Sequence, residues 1–494
     1  MDGALPLIIQ GGMGVAVSNW MLASTVAQRG QLGVVSGTCI DTVFVRRLQD
    51  ADPLGDMRRA MANFPLPSVS AEALKRYFLP NGRPSGAPYK LLPMWQQHVS
   101  RAREQLTMLA SFVEVFLAKE RGGEVGINLL TKVQLPNLAT LYGAMLAGVD
   151  YVLMGAGIPK EIPGVLDAFA RGERATLRFD VEETERGRIE ELSFEPRAHM
   201  GVATPQLKRP RFLPIISAHS LATMLARKSN GEVDGFIIEA PVAGGHNAPP
   251  RGQLEIDAQG EPVYGERDVV DLAEMRKLGK PFWLAGDTGS PEALAHARAE
   301  GAAGIQVGTL FAFADESGLD PELKQQTLEQ VAAGTIEITT DMRASPTGFP
   351  FKILRLAGTN SESEPYTQRE RICDLGYLRS AYRRPDGRIG FRCPAEPVRD
   401  WVNKGGEAAA TEDRKCLCNG LLANVGLPQQ RAHEQERALI TAGNTLSGMN
   451  HFLERRRRYS AHDVIDLLTS RLDIEADVHD VAVLDDVVLA LHLE

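Results

Sequence analysis

Residues 281–291 read Pro281-Phe282-Trp283-Leu284-Ala285-Gly286-Asp287-Thr288-Gly289-Ser290-Pro291, a short apolar run followed by a glycine-rich turn. The run does not alternate between apolar and polar residues, which is typical of a parallel strand that is buried on both faces. Ser290 and Pro291 suit the N-cap and the first position of a helix. The segment therefore predicts one strand–turn–helix unit of an α/β protein.

The same unit recurs along the first two thirds of the chain. Seven further apolar runs, each followed by a helical pattern, lie at residues 7–9, 33–36, 125–128, 150–154, 212–216, 235–239 and 304–307. Eight buried strands that alternate with helices fit a closed barrel better than an open doubly wound sheet. We therefore expect an α/β fold of the (β/α)₈ TIM barrel type. Ser18 is the expected N-cap of the first helix.

Two segments depart from this alternation. Helical patterns and a stretch rich in proline and glycine predict a helical insertion from about residue 40 to 120. After residue 355 the chain is loop-rich and contains four of its five cysteines, and helical patterns return from Glu434, with Ser460 as an N-cap. We expect a barrel domain at 1–355 and a C-terminal extension, with a cysteine cluster and terminal helices, at 356–494.

Composition narrows the class of protein. The net charge of -9 argues against a nucleic-acid binder, which needs a basic surface. No apolar run approaches the roughly 20 residues that span a bilayer, so no membrane partner is expected. The first residues lack the pattern of a signal peptide, and five cysteines in 494 residues do not suggest a secreted disulfide scaffold. A cytoplasmic protein is expected, and the sequence leaves its oligomeric state open.

Glycine-rich turns follow three of the predicted strands, namely Gly11 to Gly14 after the first, Gly286 to Gly289 after the seventh, and Gly308-Thr309 after the eighth. In β/α barrels the ligand lies at the carboxyl ends of the strands, and phosphate is held by backbone N–H groups after strands seven and eight. Each turn alone is equally well explained as a tight connection. Together they predict a site for a flat, phosphorylated cofactor.

A histidine follows the sixth predicted strand, in the segment Ala243-Gly244-Gly245-His246-Asn247. A lone histidine is usually structural, but a histidine on a glycine loop at this end of a barrel is well placed to exchange protons near neutral pH. We therefore predict that His246 is the catalytic residue.

These segments carry a family resemblance. The opening 6–14, Gly126-Ile127-Asn128-Leu129, the 243–246 loop, Ala285-Gly286 and Gln306-Val307-Gly308-Thr309-Leu310-Phe311 together resemble the nitronate monooxygenase family. They are also similar to flavin-type enoyl-ACP reductases and to the trans-acting enoyl reductases of polyunsaturated fatty acid synthesis. The resemblance covers about residues 5–320 and is interrupted by the helical insertion.

The resemblance implies FMN as the cofactor. It places the FMN against the backbone of Gly12, Met13 and Gly14, with Asn128 beside the flavin ring and the phosphate at Gly286 and Gly308-Thr309. The remaining candidate contacts are Gly245 and Gly289 of the same loops. His246 matches the family's active-site histidine. The chain departs from the family at Asp287, where a second glycine is usual, and at 247–251, which follow the histidine.

Three functions remain open at this point. The resemblance first implies a nitronate monooxygenase, which oxidises an anionic nitronate with O₂ while His246 acts as the base or as an electrostatic partner. The alternative is an enoyl-thioester reductase that takes hydride from NAD(P)H and acts on an acyl carrier or another small substrate, with His246 as the proton donor. The third is a partner subunit that binds flavin or metal without turnover.

Four cysteines, Cys373, Cys393, Cys416 and Cys418, cluster in the loop-rich extension, whereas Cys39 lies far away in the sequence. Four thiolates can hold zinc or an iron–sulfur cluster. Unlinked buried thiols, which behave as small apolar residues, are the alternative explanation. The spacing of Cys416 and Cys418 is tighter than in common zinc knuckles. The sequence therefore leaves a metal site, with zinc or iron–sulfur, as a hypothesis.

Overall fold

The computed structural model describes residues 4–185, 187–201, 204–432, 434–454 and 456–471. Its central sheet has eight parallel strands, each of them three to six residues long. They are β1 (Ile8–Gln10), β2 (Gly33–Ser36), β3 (Val125–Leu130), β4 (Tyr151–Gly155), β8 (Arg211–Ile216), β9 (Phe236–Glu239), β10 (Phe282–Ala285) and β11 (Gly304–Val307). These are the eight strands that the apolar runs predict.

The sheet closes on itself. Its strands are ordered β1-β11-β10-β9-β8-β4-β3-β2. At the seam between β1 and β2, Gln10 N–H donates to the Leu32 carbonyl over 2.9 Å, and Leu32 N–H donates to the Ile8 carbonyl over 3.1 Å. Closure removes the sheet edges that would otherwise need to be covered. The TIM barrel expected from the sequence is confirmed.

Side chains from alternate positions fill the barrel interior. They form a separate apolar cluster that comprises Ile9, Leu32, Val34, Tyr151, Leu153, Leu213, Ile237, Trp283 and Ala285. Trp283 is fully buried, and its indole N–H donates to the Pro6 carbonyl over 2.8 Å. The interior is therefore a packed core, so a ligand has room only at the ends of the strands.

Helices surround the barrel and supply the insertion. The helices of the barrel half are α1 (Trp20–Gln28), α2 (Ile40–Gln49), α3 (Asp56–Met61), α4 (Pro67–Tyr77), α5 (Arg101–Lys119), α6 (Gln134–Leu146), α7 (Ile162–Ala170), α8 (Pro196–Met200), α9 (His219–Lys228), α10 (Leu272–Lys277), α11 (Pro291–Ala299), α12 (Thr309–Ala312) and α13 (Pro321–Ala333). Helices α2 to α5 are the predicted insertion. Asn19, rather than Ser18, caps α1 by accepting from Leu22 N–H over 2.9 Å.

Small sheets and short helices lie outside the barrel. The strands are β5 (Ala175–Phe179), β6 (Val181–Glu182), β7 (Glu190–Phe194), β12 (Glu337–Asp341), β13 (Phe351–Arg355), β14 (Ser380–Arg383) and β15 (Ile389–Arg392). Pairing is antiparallel in β5–β7, β12–β13 and β14–β15, whereas β6 joins β14 in parallel. The helices are α14 (Ser363–Gln368), α15 (Val398–Asn403), α16 (Leu417–Ala423) and α17 (Ser447–Leu453). The chain after β11 therefore contains hairpins as well as loops.

The end of the described chain packs on the barrel. The Tyr459 hydroxyl donates to the Leu310 carbonyl over 2.9 Å. Ser460 caps the helical residues 461–471 as predicted, because its hydroxyl accepts from Asp463 N–H while the Asp463 carboxylate accepts from Ser460 N–H. This is a capping box. Residues 472–494, the last part of the predicted extension, lie outside the described residues. Within the described residues, no helix combines the length and the apolar character needed to cross a membrane.

Candidate functional site

A cavity of about 260 Å³ lies at the carboxyl ends of the barrel strands. The loops after β1, β9, β10 and β11 contribute to its wall, together with the ends of β3 and β4. It brings together His246 and all of the predicted cofactor contacts, which are Gly12, Met13, Gly14, Asn128, Gly245, Gly286, Gly289, Gly308 and Thr309. Loops that lie far apart in the sequence therefore share one site.

The backbone at two glycines leaves open space for a flat ligand. A Cβ atom on Gly245, whose φ is +82°, meets no atom within 4 Å. A Cβ atom on Gly308 finds only Met13, at 3.7 Å from the sulfur atom. The Gln306 side-chain oxygen also lacks a hydrogen-bond partner within the described chain, although it is buried beside this space. An unused acceptor next to open backbone fits a planar ring that carries an N–H group, as the oxidised FMN ring does.

The Asn128 side chain holds the loop after β1 in place. Its side-chain N–H donates to the Gly12 carbonyl over 3.1 Å. A Cβ atom on Gly12 would lie 2.2 Å from the Asn128 Cβ, so this contact explains why residue 12 is glycine. Ser18, which the sequence predicts as an N-cap, instead accepts from Met13 N–H over 2.8 Å and donates to the Gly11 carbonyl. The loop expected to contact the flavin is therefore held from two sides.

The two predicted phosphate loops lie next to each other. The Thr288 hydroxyl donates to the Gln306 carbonyl over 2.7 Å, which ties the loop after β10 to β11. Ser290 caps α11 as predicted by accepting from Ala293 N–H. Asp287 adopts a φ of +55°, a left-handed conformation that glycine usually supplies, and it is exposed. Water therefore solvates its carboxylate, which weakens its repulsion of a phosphate.

His246 lies on the loop after β9 and lines the cavity. Its Nε2 shares a hydrogen bond of 2.7 Å with the hydroxyl of Ser345, in the connection between β12 and β13. The Phe351 ring packs edge-on against the imidazole, with 4.9 Å between centroids. Burial lowers the pKa of His246 to about 4, so the imidazole is neutral at pH 7. In the described part of the chain, Nδ1 has no hydrogen-bond partner and remains free for a substrate.

Glu239, at the end of β9, is a second titratable group in the cavity wall. Burial raises its pKa to about 8, so it is mostly protonated at pH 7. No hydrogen bond or ion pair to its carboxyl occurs within the described residues, and its proton is therefore available. Sequence reasoning missed Glu239 because it reads as the last residue of an apolar strand. The sequence feature that could have identified it is an acidic residue at the carboxyl end of a barrel strand, where ligands bind.

The polypeptide after the barrel forms the remaining wall. Residues 440–443 line the cavity. The Thr441 hydroxyl accepts from Gly245 N–H over 2.8 Å, and the Thr309 hydroxyl accepts from Gly443 N–H over 2.9 Å. Because the Thr309 hydroxyl accepts in this bond, its own proton is not used there. The sequence predicted a C-terminal extension but gave no sign that it completes the site.

The cavity wall is poor in positive charge. Of the described residues that line it, none is a lysine or an arginine, while Glu239 and Asp287 are acids. Most of the lining is glycine and apolar side chains. An anionic substrate would therefore find backbone dipoles but no fixed cation here.

The four clustered cysteines lie outside this cavity, except for Cys418. All four line a small second pocket that also includes Leu378, Arg379 and Leu417. Within the described residues, no three His, Cys, Asp or Glu side chains are arranged to hold one metal ion. Neither zinc nor an iron–sulfur cluster, the two hypotheses that the sequence left open for these cysteines, is supported by this arrangement.

No family model and no curated protein matches the chain. Similar solved structures include FabK from Thermotoga maritima (15% identity, 97% of this chain and 96% of that chain, TM-score 0.44). They also include a nitroalkane oxidase from Streptomyces ansochromogenes (15% identity, 96% and 98%, TM-score 0.44) and the enoyl reductase domain of MlnA from the macrolactin biosynthesis cluster from Bacillus amyloliquefaciens (12% identity, 96% and 96%, TM-score 0.46). Because these identities and TM-scores are low, the fold is assigned from the sheet topology. The chemistry is argued from the residues that line the cavity.

Proposed function

We propose that this protein is an FMN-dependent oxidoreductase that reduces enoyl thioesters with NAD(P)H. One observation carries the proposal: His246 and Glu239, both kept uncharged by burial, line a glycine-rich cavity whose described lining contains no lysine or arginine. A neutral site with a protonated carboxyl group suits a neutral substrate that must receive a proton. The resemblance to flavin-type enoyl reductases and nitronate monooxygenases supports the flavin.

Open backbone, an unpartnered polar atom and backbone N–H groups of the cavity would suit FMN. The open backbone of Gly245 and Gly308 and the unpartnered Gln306 oxygen would accommodate its ring, with Asn128 holding the loop of Gly12, Met13 and Gly14 in place. Backbone N–H groups of the loops at Gly286 to Gly289 and Gly308-Thr309 would hold its phosphate. When bound, FMN would supply hydride transfer between NAD(P)H and an electron-poor alkene carbon.

The protein's own groups would provide the remaining steps. Saturation of an α,β-unsaturated thioester adds a hydride to one alkene carbon and a proton to its neighbour. Glu239 is the proton donor in this proposal, since a carboxyl with a pKa of about 8 is still protonated at neutral pH. The free Nδ1 of His246, kept neutral and oriented by Ser345, would donate a hydrogen bond to the thioester oxygen. Negative charge that develops on this oxygen would thereby be stabilised.

The nitronate reaction is the competing assignment. A nitronate is an anion, and neutral His246 together with Glu239 offers it no charge partner. Burial of an unpaired anion is unfavourable, so the cavity fits this substrate less well. The motif resemblance keeps it as the second candidate.

Anaerobic stopped-flow mixing of the purified flavoprotein with NADPH or NADH tests the proposal. We expect rapid bleaching of the flavin and reoxidation by a short enoyl thioester, with saturated thioester as the product. His246→Ala should retain bound flavin and lose most of this turnover. Flavin that stays oxidised with NAD(P)H, together with nitrite release from nitronate in air, would assign the nitronate reaction instead. Bound flavin with neither activity would indicate a subunit without turnover.

A further inference from the structure

We propose that a small pocket beside Glu239 binds one water molecule, through which this carboxyl takes up a proton from solvent after each turnover. The inference rests on the proposed function, in which Glu239 donates its proton to an alkene carbon. Hydride from NAD(P)H forms one new C–H bond of the product, and the Glu239 proton forms the other. Each cycle therefore leaves Glu239 as a carboxylate, and one proton from solvent must restore it.

Glu239 lies where two pockets meet. Among the described residues, it alone lines both the main cavity of about 260 Å³ and the small pocket. The other walls of the small pocket come from the loop after β8 and from the segment after β9, including Asn247, Tyr264 and Asp268. Because none of these wall residues lines the main cavity, a proton can reach Glu239 here without crossing the space that flavin and substrate would occupy.

The size and the polar groups of the small pocket suit a single water molecule. Its volume of about 10 Å³ is close to the least that one water requires. The Asn247 side chain is 2% exposed, and its Oδ1 has no hydrogen-bond partner within the described residues. A buried water usually makes about three hydrogen bonds. Asn247 Oδ1, the Glu239 carboxyl and the Tyr264 hydroxyl can supply them.

Asn247 is held at both its backbone and its side chain. Its backbone N–H donates to the Pro350 carbonyl over 3.0 Å, and its Nδ2 donates to the Ala243 carbonyl over 3.0 Å. The amide nitrogen is thus used by the loop after β9, while the amide oxygen remains for another partner. An unpaired buried acceptor is unfavourable, so a water in the pocket that Asn247 lines accounts for a polar residue at this position.

Tyr264 and Asp268 connect the small pocket to the protein surface. The Tyr264 hydroxyl donates to the Ala248 carbonyl over 3.0 Å, so its oxygen can still accept from the water. Burial, together with the carboxyl groups of Asp268 and Glu239, raises the pKa of Tyr264 to about 12, and its hydroxyl is neutral at pH 7. Both Tyr264 and Asp268 are partly exposed. A proton from solvent can therefore reach the water and pass from it to Glu239.

The charges around the small pocket favour reprotonation of Glu239. Besides Glu239, its described lining contains one acid, Asp268, and one base, Arg251. The Asp268 carboxylate accepts from the Arg251 backbone N–H over 2.9 Å, and the Arg251 guanidinium donates to two backbone carbonyls. Their opposite charges offset each other, so the Glu239 carboxylate that remains after turnover finds no net positive charge there. A buried carboxylate in such surroundings takes up a proton readily.

Asn247→Leu tests this route, because it removes the Oδ1 acceptor and keeps a similar side-chain shape. The flavoprotein is mixed anaerobically with one equivalent of NADPH or NADH and excess crotonyl-CoA, in weak buffer with a pH-indicator dye. Rapid quenching measures the saturated product, and the dye measures proton uptake.

In the native protein, we expect proton uptake to keep pace with product formation. In Asn247→Leu, product formation in this first turnover should be unchanged, since Glu239 starts protonated. Proton uptake should lag about fivefold or more, and kcat should fall by a similar factor, because the carboxylate must wait until product leaves the main cavity.

Asn403→Leu, at the exposed end of α15, is the matched control and should behave as the native protein does. Tyr264→Phe should also delay proton uptake, and it decides the question if Asn247→Leu does not fold. Proton uptake that keeps pace with product formation in the variants would overturn the proposal. A slower first turnover without a lag would do the same, because it would indicate only a structural role for Asn247.

A crystal structure of the FMN-bound protein provides a readout that does not depend on activity. It should show one ordered water within hydrogen-bond distance of Asn247 Oδ1 and the Glu239 carboxyl, and a pocket without this water would overturn the proposal. A native flavoprotein that does not reduce crotonyl-CoA would instead remove the proposed function, and the relay with it. The two failures are therefore distinguishable.

Discussion

His246 Nε2 and Ser345 Oγ lie 2.7 Å apart, although 99 residues separate them in the chain. The Ser345 hydroxyl is itself 2.8 Å from the Thr347 hydroxyl and accepts from Thr347 N–H over 3.2 Å. A turn beyond the barrel therefore fixes the orientation of the proposed active-site imidazole. Ser345 acts through His246 and is a positioning residue.

Replacement of Ser345 tests this relationship. Loss of one hydrogen bond costs about 0.5–1.5 kcal/mol, so Ser345→Ala should lower kcat about three- to tenfold. KM should change little, and bound flavin should be retained. Steady-state kinetics across pH measure both values, and Ser345→Thr should restore part of the rate. Thr367→Val, which removes an exposed hydroxyl that does not line the cavity, is the control. A kcat for Ser345→Ala equal to that of the control would remove the positioning role.

Glu239 should set the alkaline limb of the pH profile. Its protonated form is the proposed donor, so turnover should be high below pH 8 and fall as the pH rises through its pKa of about 8. Glu239→Gln should lower turnover about 100-fold and abolish this limb, because general acid catalysis contributes roughly this factor. Rates of flavin oxidation by an enoyl thioester between pH 6 and 10 measure the effect. An unchanged limb in Glu239→Gln would assign it to another group.

The same carboxyl should make the stability depend on pH. Its pKa rises from 4.5 to about 8 on burial, so the folded state holds the proton more tightly than the unfolded chain. The contribution of this proton to stability is complete below about pH 4.5 and is lost as the pH rises towards 8. Glu239→Gln should therefore gain stability relative to the native protein between pH 5 and 8.

Urea unfolding of both proteins at pH 5 and at pH 8 measures this difference. Glu274→Gln, on the surface helix α10, is the matched control, and its stability relative to the native protein should not follow the same trend. A constant difference between Glu239→Gln and the native protein at the two pH values would show that the carboxyl does not hold its proton in the folded state.

A larger side chain at Gly308 should block the cofactor without disturbing the fold. Its φ is -104°, which any residue adopts, and the space beside it belongs to the cavity. Gly308→Leu should lower FMN affinity at least tenfold, since about 1.4 kcal/mol of lost contact is enough for this change. Fluorescence titration with FMN measures it, and circular dichroism reports folding. Ala333→Leu at the exposed end of α13 controls for added apolar surface. Native affinity in Gly308→Leu would place the cofactor elsewhere.

Thr441 should couple the extension to the histidine loop. Its hydroxyl accepts from Gly245 N–H, and Thr441→Val leaves this amide without an acceptor. Loss of this partly buried hydrogen bond costs about 0.5–1.5 kcal/mol, so the variant should unfold at lower urea and lose FMN faster. Thr469→Val, whose hydroxyl bonds only within its own helix, should change neither. Equal FMN loss in the two variants would show that the Gly245 bond does not stabilise the site.

The sequence was sufficient to locate the repeated strand–turn–helix units of the barrel. Each barrel strand is short and apolar and is followed by a turn and a helical pattern, so all eight could be located from local composition. The glycines at Gly12 and Gly308 and the histidine at His246 were found because a barrel presents its strand ends at one rim.

Contacts between distant segments could not be found in this way. Ser345 and Thr441 are ordinary polar residues in loops, and only the folded chain shows which groups they bind. The prediction of Ser18 as the cap of α1 was wrong for a related reason, since Asn19 caps the helix instead. Both residue types cap helices well, and Ser18 is used instead by the loop of Met13.

The bond from Gly245 to Thr441 spans 196 residues. During synthesis, the barrel strands emerge from the ribosome long before the segment that seals their open end. Until residue 441 and its neighbours have been made, the chain therefore lacks part of the wall of this cavity. If FMN binds there as we propose, its site is complete only after this segment has been made, and a chain that ends between β11 and Thr441 lacks part of the cavity wall.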